Sequence, residues 1–142
     1  MSSQTILLVE DNADDIELTL RVLKTHHIAN NVIVARDGEE ALKLLFEADQ
    51  VFSQELPSVV VLDLNMPKVD GLEVLRRIRA DPRTKALPVV IMTTSTEEQD
   101  IVASYKLGAN SYVCKPVAFE DFTQAVQTLG LYWLLLNVPP RQ

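Results

Sequence analysis

Five short apolar runs in a chain of 142 residues constrain this fold more than any other feature: Ile6–Val9, Val32–Ala35, Val59–Leu62, Val89–Met92 and Tyr112–Cys114. They are largely β-branched and nearly continuous rather than alternating, as strands buried on both faces are. Amphipathic segments separate them. Ile16, Leu20 and Leu23 recur at helical spacing in the first segment, and Leu72, Leu75 and Ile78 do so in the third. Asp14 followed by Glu17 predicts a capping box at the start of the first helix. Pro57 and Pro88 stand just ahead of strands, Asp81-Pro82 ends the third helix, and Gly108 follows the fourth. Five strand–helix alternations imply parallel strands joined by right-handed crossovers. The predicted architecture is one α/β domain with a doubly wound five-stranded parallel sheet of order 2-1-3-4-5. Its ligand site falls at the carboxyl ends of the strands.

That placement gives the polar residues at the strand ends a chemistry. Glu10 and Asp11 close the first run and Asp63 closes the third, so three carboxylates converge between neighbouring strands. Thr93 closes the fourth run and Lys115 follows the fifth. Clustered carboxylates repel one another, and a hard divalent cation relieves the repulsion. Mg²⁺ suits such a site, because it takes oxygen ligands and keeps positions for water and phosphate. Asp11 and Asp63 are placed to ligate it, Glu10 to hold a coordinated water, and Asn65 to add a backbone oxygen. Asp63 is then a candidate nucleophile toward phosphorus, forming an aspartyl phosphate. Lys115 would balance charge on the phosphoryl oxygens and the Thr93 hydroxyl would donate to one of them.

Charge and composition exclude other classes. A net charge of −7 argues against a nucleic-acid or anionic-membrane surface. The single cysteine excludes an internal disulfide, which fits a reducing cytoplasm. The longest apolar run, Leu131–Leu136, falls far short of the ~20 residues a membrane span needs. The opening residues lack the order of a secretion signal. Gly108 and Gly130 form no phosphate-cradling loop, so a nucleotide-binding P-loop is not expected.

The stretches "LLVEDN", "VVVLDLNMPKVDG", "PVVIMTTS" and "ANSYVCKP" resemble, in order, the motifs of the response-regulator receiver domain. The resemblance runs from about Thr5 to Leu129 and implies a flavodoxin-like fold. It implies Asp63 as phosphoacceptor, Glu10 and Asp11 as the acidic metal pair, and Asn65 as the backbone ligand. It also implies Thr93 as switch hydroxyl, Lys115 as the phosphate-contacting lysine, Tyr112 as switch aromatic, and a cis Lys115–Pro116 bond. The implied partner is a sensor histidine kinase. The outline, with its long second helix region and aromatic, leucine-rich tail, resembles the small receivers paired with cyanobacterial phytochrome kinases. Two features depart from the usual receiver. Residues 46–58 are long for the connection between the second helix and third strand, and residues 130–142 extend the last helix with no effector domain expected.

Each residue alone has a plain structural reading. The acidic group after the first strand can cap a helix, His26-His27 reads as a solvated loop, and Cys114 reads as a small core residue of the fifth strand. Their joint placement at the strand ends favours the functional reading. Phe119, Phe122, Val126 and Leu129 form one stripe of the fifth helix. Beyond it, Tyr132, Trp133 and Leu135 exceed what one domain can cover, and Ile101 and Tyr105 on the fourth helix widen the patch. A homodimer through helices four and five is therefore expected, with the helix 4–strand 5–helix 5 face carrying the signal. The competing functions are an aspartyl-phosphate phosphatase or phosphotransferase and a phosphorylation-independent adaptor. Asn at position 65 counts against the former, since such enzymes commonly place a second carboxylate there. The intact acidic set counts against the latter.

Overall fold

The computed structural model describes residues 5–25, 31–47, 49–53, 55–116, 118–130 and 132. Strands β1 (Thr5–Val9), β2 (Asn31–Ala35), β3 (Val59–Leu62), β4 (Val89–Thr93) and β5 (Ser111–Cys114) form one sheet. Its order is β2-β1-β3-β4-β5 and every pairing is parallel, as expected from the sequence. Helices α1 (Ala13–Thr25), α2 (Gly38–Phe46), α3 (Gly71–Ala80), α4 (Glu98–Lys106) and α5 (Phe119–Gly130) alternate with the strands. The fold is flavodoxin-like.

Successive strand residues feed two cores, as the two-residue period of a strand requires. Leu7, Val9, Val60, Leu62, Val89 and Ile91 face one side and pack with Ala41 and Leu45 of α2 and Val74, Leu75 and Ile78 of α3. Ile6, Val59, Val90 and Met92 face the other and meet Val22 and Leu23 of α1 and Phe122 and Val126 of α5. The long segment before β3 belongs to the first core. Phe52 is among the largest fully buried side chains of the molecule, and Leu56 packs beside the same cluster. Through Phe52 and Leu56 this segment contributes to the core rather than forming an idle insertion.

The helix starts differ in one respect from expectation. Asp37 caps α2 and Asp70 caps α3, each accepting a backbone N–H three residues on. At α1 the cap is Asn12, whose Oδ1 accepts the Asp15 N–H at 3.0 Å. The Asp14–Glu17 capping box is not formed. The helix therefore begins two residues earlier, and it buries Ile16, Thr19, Val22 and Leu23, while Leu20 is only half-buried. Helix α4 is held lightly, for Ser104 is its one buried residue. It ends at Gly108, whose φ of 96° is the left-handed conformation that glycine supplies without steric cost.

Candidate functional site

Ladder hydrogen bonds that continue past the strands fix the backbone of the site. The Glu10 N–H donates to the Ala35 carbonyl at 2.9 Å, Asp63 to Val9 at 3.0 Å, and Lys115 to Thr93 at 2.7 Å. Each charged side chain is thus delivered to the carboxyl edge of the sheet by the neighbouring strand. The loop after β3 is held as firmly. Gly71 lies against the Asp63 carbonyl, so close that a Cβ there would stand 2.2 Å from that oxygen. Gly38, at the start of α2, admits the Val69 backbone in the same way.

Glu10, Asp11 and Asp63 are brought together as expected, each offering a ligand oxygen within 4.8 Å of the others. Glu10 and Asp63 are buried and Asp11 is exposed beside them. The donor set is oxygen alone, which suits a hard divalent cation. Asn65 follows on the same loop, its N–H 3.3 Å from Asp63 Oδ1. An open groove of about 400 Å³ runs from Asp11 past Asn65, Met66 and Pro67 to Asp70 and Asp100.

The Lys115 ammonium sits inside this cluster, its side chain only 6% exposed. It donates to Glu10, to Asp15 at 3.0 Å and to Asp63 at 3.4 Å. Burial pushes the Glu10 carboxyl up to about 7, against the lowering effect of Lys115. Burial opposes charge on Lys115, but the hydrogen bond to Glu10 and the surrounding carboxylates outweigh it and push the ammonium up to about 12. Burial thus favours a proton on Glu10 near neutrality, a condition that a divalent cation beside it would relieve.

Thr93 is fully buried at the end of β4, and its Oγ1 accepts the Ser95 N–H at 3.4 Å. Ser95, which the sequence places near the site without assigning it partners, is a hub. Its carbonyl accepts the Tyr112 hydroxyl at 3.0 Å, and its hydroxyl donates to Asp100 of α4 at 2.6 Å. Thr93, Tyr112 and α4 are joined through this one residue. Asp15 was also missed, because its approach to Lys115 depends on where α1 begins.

Several expectations are corrected. Cys114 is exposed rather than a core residue, since β5 is an edge strand and Cys114 is its last residue. Its sulfur lies 3.5 Å from the Ser95 carbonyl. The Lys115–Pro116 bond is trans; there is no cis peptide among the described residues. Ile101 is half-buried rather than exposed; Tyr105 is exposed as expected, and Val102 is the other exposed large side chain of α4. Tyr132 is exposed at 49%. Trp133, Leu135 and His26-His27 lie outside the described residues, and so does the Phe119 side chain.

A parallel sheet of this order, with an acidic triad and a buried lysine at its carboxyl edge, is the arrangement of a receiver domain. The family model for the response regulator receiver domain matches residues 6–127, and the chain belongs to that family. It is a receiver-domain response regulator. It is 41% identical over 131 residues to the response regulator Rcp1 of Synechocystis sp., covering 92% of this chain and 89% of that one. The Mn(2+)-bound form of Rcp1 superimposes with a TM-score of 0.89 at 40% identity, over 97% of this chain and 99% of that chain. The phosphorylated cyanobacterial phytochrome response regulator RcpA gives 0.91 at 37% identity, over 99% and 100% of the two chains. The bacteriophytochrome response regulator AtBRR gives 0.73 at 49% identity, over 97% and 100%. Receiver domains bind a divalent metal, and Glu10, Asp11 and Asp63 fit one. Among the described residues, no helix is long and apolar enough to cross a membrane.

Proposed function

We propose that Asp63 accepts a phosphoryl group from the phosphohistidine of a sensor histidine kinase in the cytoplasm, with Mg²⁺ as the working cation. The observation that carries this reading is the buried Lys115 ammonium between Asp63 and Glu10 at the metal-ligand cluster. Mg²⁺ would be held by Asp11, Asp63, the Asn65 carbonyl and a water on Glu10, and would supply charge neutralisation at the phosphoryl oxygens. An Asp63 carboxylate oxygen attacks phosphorus, and the new O–P bond forms as the P–N bond to the donor imidazole breaks. The imidazole nitrogen keeps the electron pair and takes up a proton. Lys115 contacts the transferred group, and Thr93 turns its hydroxyl toward it. The chain catalyses its own modification and turns over no metabolite; Asn65 offers no acid/base carboxylate for repeated hydrolysis.

The signal leaves through Ser95. A Thr93 hydroxyl drawn toward the phosphoryl group pulls on the Ser95 N–H, and Ser95 bears on both Tyr112 and the start of α4. The lightly held α4 then shifts with the β5–α5 face. Val102 and Tyr105 of α4 and Tyr132 beyond α5 are exposed apolar groups suited to a second copy of the chain. The kinase is a bacterial phytochrome, on the strength of the likeness to RcpA and AtBRR. Phosphotransfer from a labelled phytochrome kinase tests both points. The label should pass to wild type and not to Asp63→Asn, and retention of transfer by Asp63→Asn would reject the acceptor. Sedimentation of wild type and Tyr105→Glu tests the dimer, which the substitution should dissociate.

A further inference from the structure

Lys115 has more carboxylate partners than phosphoryl transfer assigns to it. Its ammonium touches Glu10, Asp15 and Asp63. Glu10 and Asp63 belong to the group whose oxygens converge within 4.8 Å, and Asp15 does not. A cation entering that group draws the Glu10 and Asp63 oxygens toward itself. Formation of the acyl phosphate then converts the Asp63 carboxylate into a neutral carbonyl and moves the negative charge out onto the phosphoryl oxygens. Asp15 is the partner whose hold on Lys115 competes with neither event.

Asp15 is itself well fixed. It is the third residue of α1, its N–H donates to Asn12 Oδ1 at 3.0 Å, and the next residue, Ile16, is buried in the helix–sheet interface. The Asn12 N–H in turn donates to Glu10 Oε2 at 3.1 Å, so one residue fixes both the Glu10 carboxylate and the Asp15 backbone. The Asp15 side chain is 27% exposed, against 5% for Glu10, and lies at the rim of the cluster. A lysine ammonium is a point charge on a flexible four-carbon stem, and a tether at its tip removes much of that freedom.

We propose that Asp15 is a positioning residue for phosphoryl transfer, tethering the Lys115 ammonium beside Asp63 while Glu10 and Asp63 are engaged elsewhere. The proposal rests on Asp63 as acceptor. Neutralising Asp15 without changing its shape, as Asp15→Asn, leaves Lys115 free to swing out of line. Phosphoryl acceptance then slows by about tenfold, the lower end of what one charge-assisted hydrogen bond is worth.

The test follows acetyl phosphate modification by intact mass at saturating Mg²⁺ in wild type, Asp15→Asn, Lys115→Ala and the double variant. Asp15→Asn should be slower by about tenfold, Asp15→Glu should recover part of the loss, and Asp15→Asn should add nothing once Lys115 is absent. Mg²⁺ affinity by calorimetry should change by less than about twofold. Nitrogen-15 spectra of the Mg²⁺–beryllofluoride complex should show a Lys115 ammonium protected from exchange in wild type and averaged in Asp15→Asn. Additive losses, or an ammonium equally protected in both proteins, would overturn the proposal. Faster modification with tighter Mg²⁺ binding would overturn it too, since Asp15 would then act only as a repelling charge. Wild type and Asp63→Asn run in parallel report separately on the acceptor.

Discussion

Replacing Gly71 by alanine places a methyl carbon where the backbone leaves no room. The added Cβ would stand 2.2 Å from the Asp63 carbonyl oxygen, 2.7 Å from Leu64 Cα and 3.0 Å from the Asp63 carbonyl carbon. All three are backbone atoms, so no side-chain rotation relieves the clash. Ordinary contact begins at 3.4 Å, and reaching it separates the start of α3 from the end of β3 by about 1 Å, an overpacking strain at the upper end of about 1–3 kcal/mol. For a chain of this size that strain lowers Tm by about 10 °C. The same movement displaces Asp63 and Asn65, and an error of about 1 Å in a reacting group costs on the order of 100-fold in rate. Calorimetry and the rate of acetyl phosphate modification read the two effects. Gly108→Ala is the control: it forces alanine to a φ of 96° at the opposite edge of the sheet, so it should lose stability while the folded protein keeps its rate. A Gly71→Ala protein within about 2 °C and twofold of wild type would refute this account of how the loop holds Asp63.

Phe52→Ala should cost about 3–5 kcal/mol by emptying a buried site, with the modification rate of the folded protein unchanged; urea denaturation measures it. Arg79 spreads its guanidinium over the carbonyls of Gly108, Lys85 and Leu87 and the Asn110 side chain. Arg79→Lys should therefore destabilise the turn after α4 by about 2–3 kcal/mol, because an ammonium cannot reach several acceptors in the plane of a guanidinium. Glu10, raised by burial to about 7 from 4.5, keeps a proton in the folded state that the unfolded chain has released. Its contribution to metal-free stability is full below 4.5 and is lost as pH rises through about 7. Mg²⁺ must displace that proton, so its affinity should climb over the same interval and level off above it, as thermal melts with and without Mg²⁺ will show.

Much of the fold was legible because parallel central strands leave a strong mark. Ile6–Val9, Val59–Leu62 and Val89–Met92 are apolar on both faces, and the alternation of strand with helix leaves only a few parallel sheet orders. The carboxylate cluster followed from the same pattern, since the residue after each such strand must emerge at one edge. Edge strands and helix phase were less legible. Cys114 looks like core in a run of apolar residues, but exposure there depends on β5 having no further strand beside it. Asp15 could not be assigned to Lys115 from the sequence, because the two lie 100 residues apart and meet only through the packing of α1 against the sheet edge. The half-burial of Ile101 and the exposure of Val102 were not legible, because α4 buries too few residues for its pattern to separate an inner from an outer face. Phe52 carried no periodic signal. It lies in an irregular segment, and only the sheet it covers explains its burial.

The central claim is that the buried lysine and the acidic triad make Asp63 a phosphoryl acceptor. Intact-mass spectrometry after incubation with acetyl phosphate tests it directly, with and without Mg²⁺, on wild type and Asp63→Asn. Wild type should gain one phosphoryl group only when Mg²⁺ is present, the bond should be cleaved by hydroxylamine as an acyl phosphate is, and Asp63→Asn should remain unmodified. A wild type that stays unmodified, or an Asp63→Asn protein modified at the same rate and to the same extent, would contradict the claim.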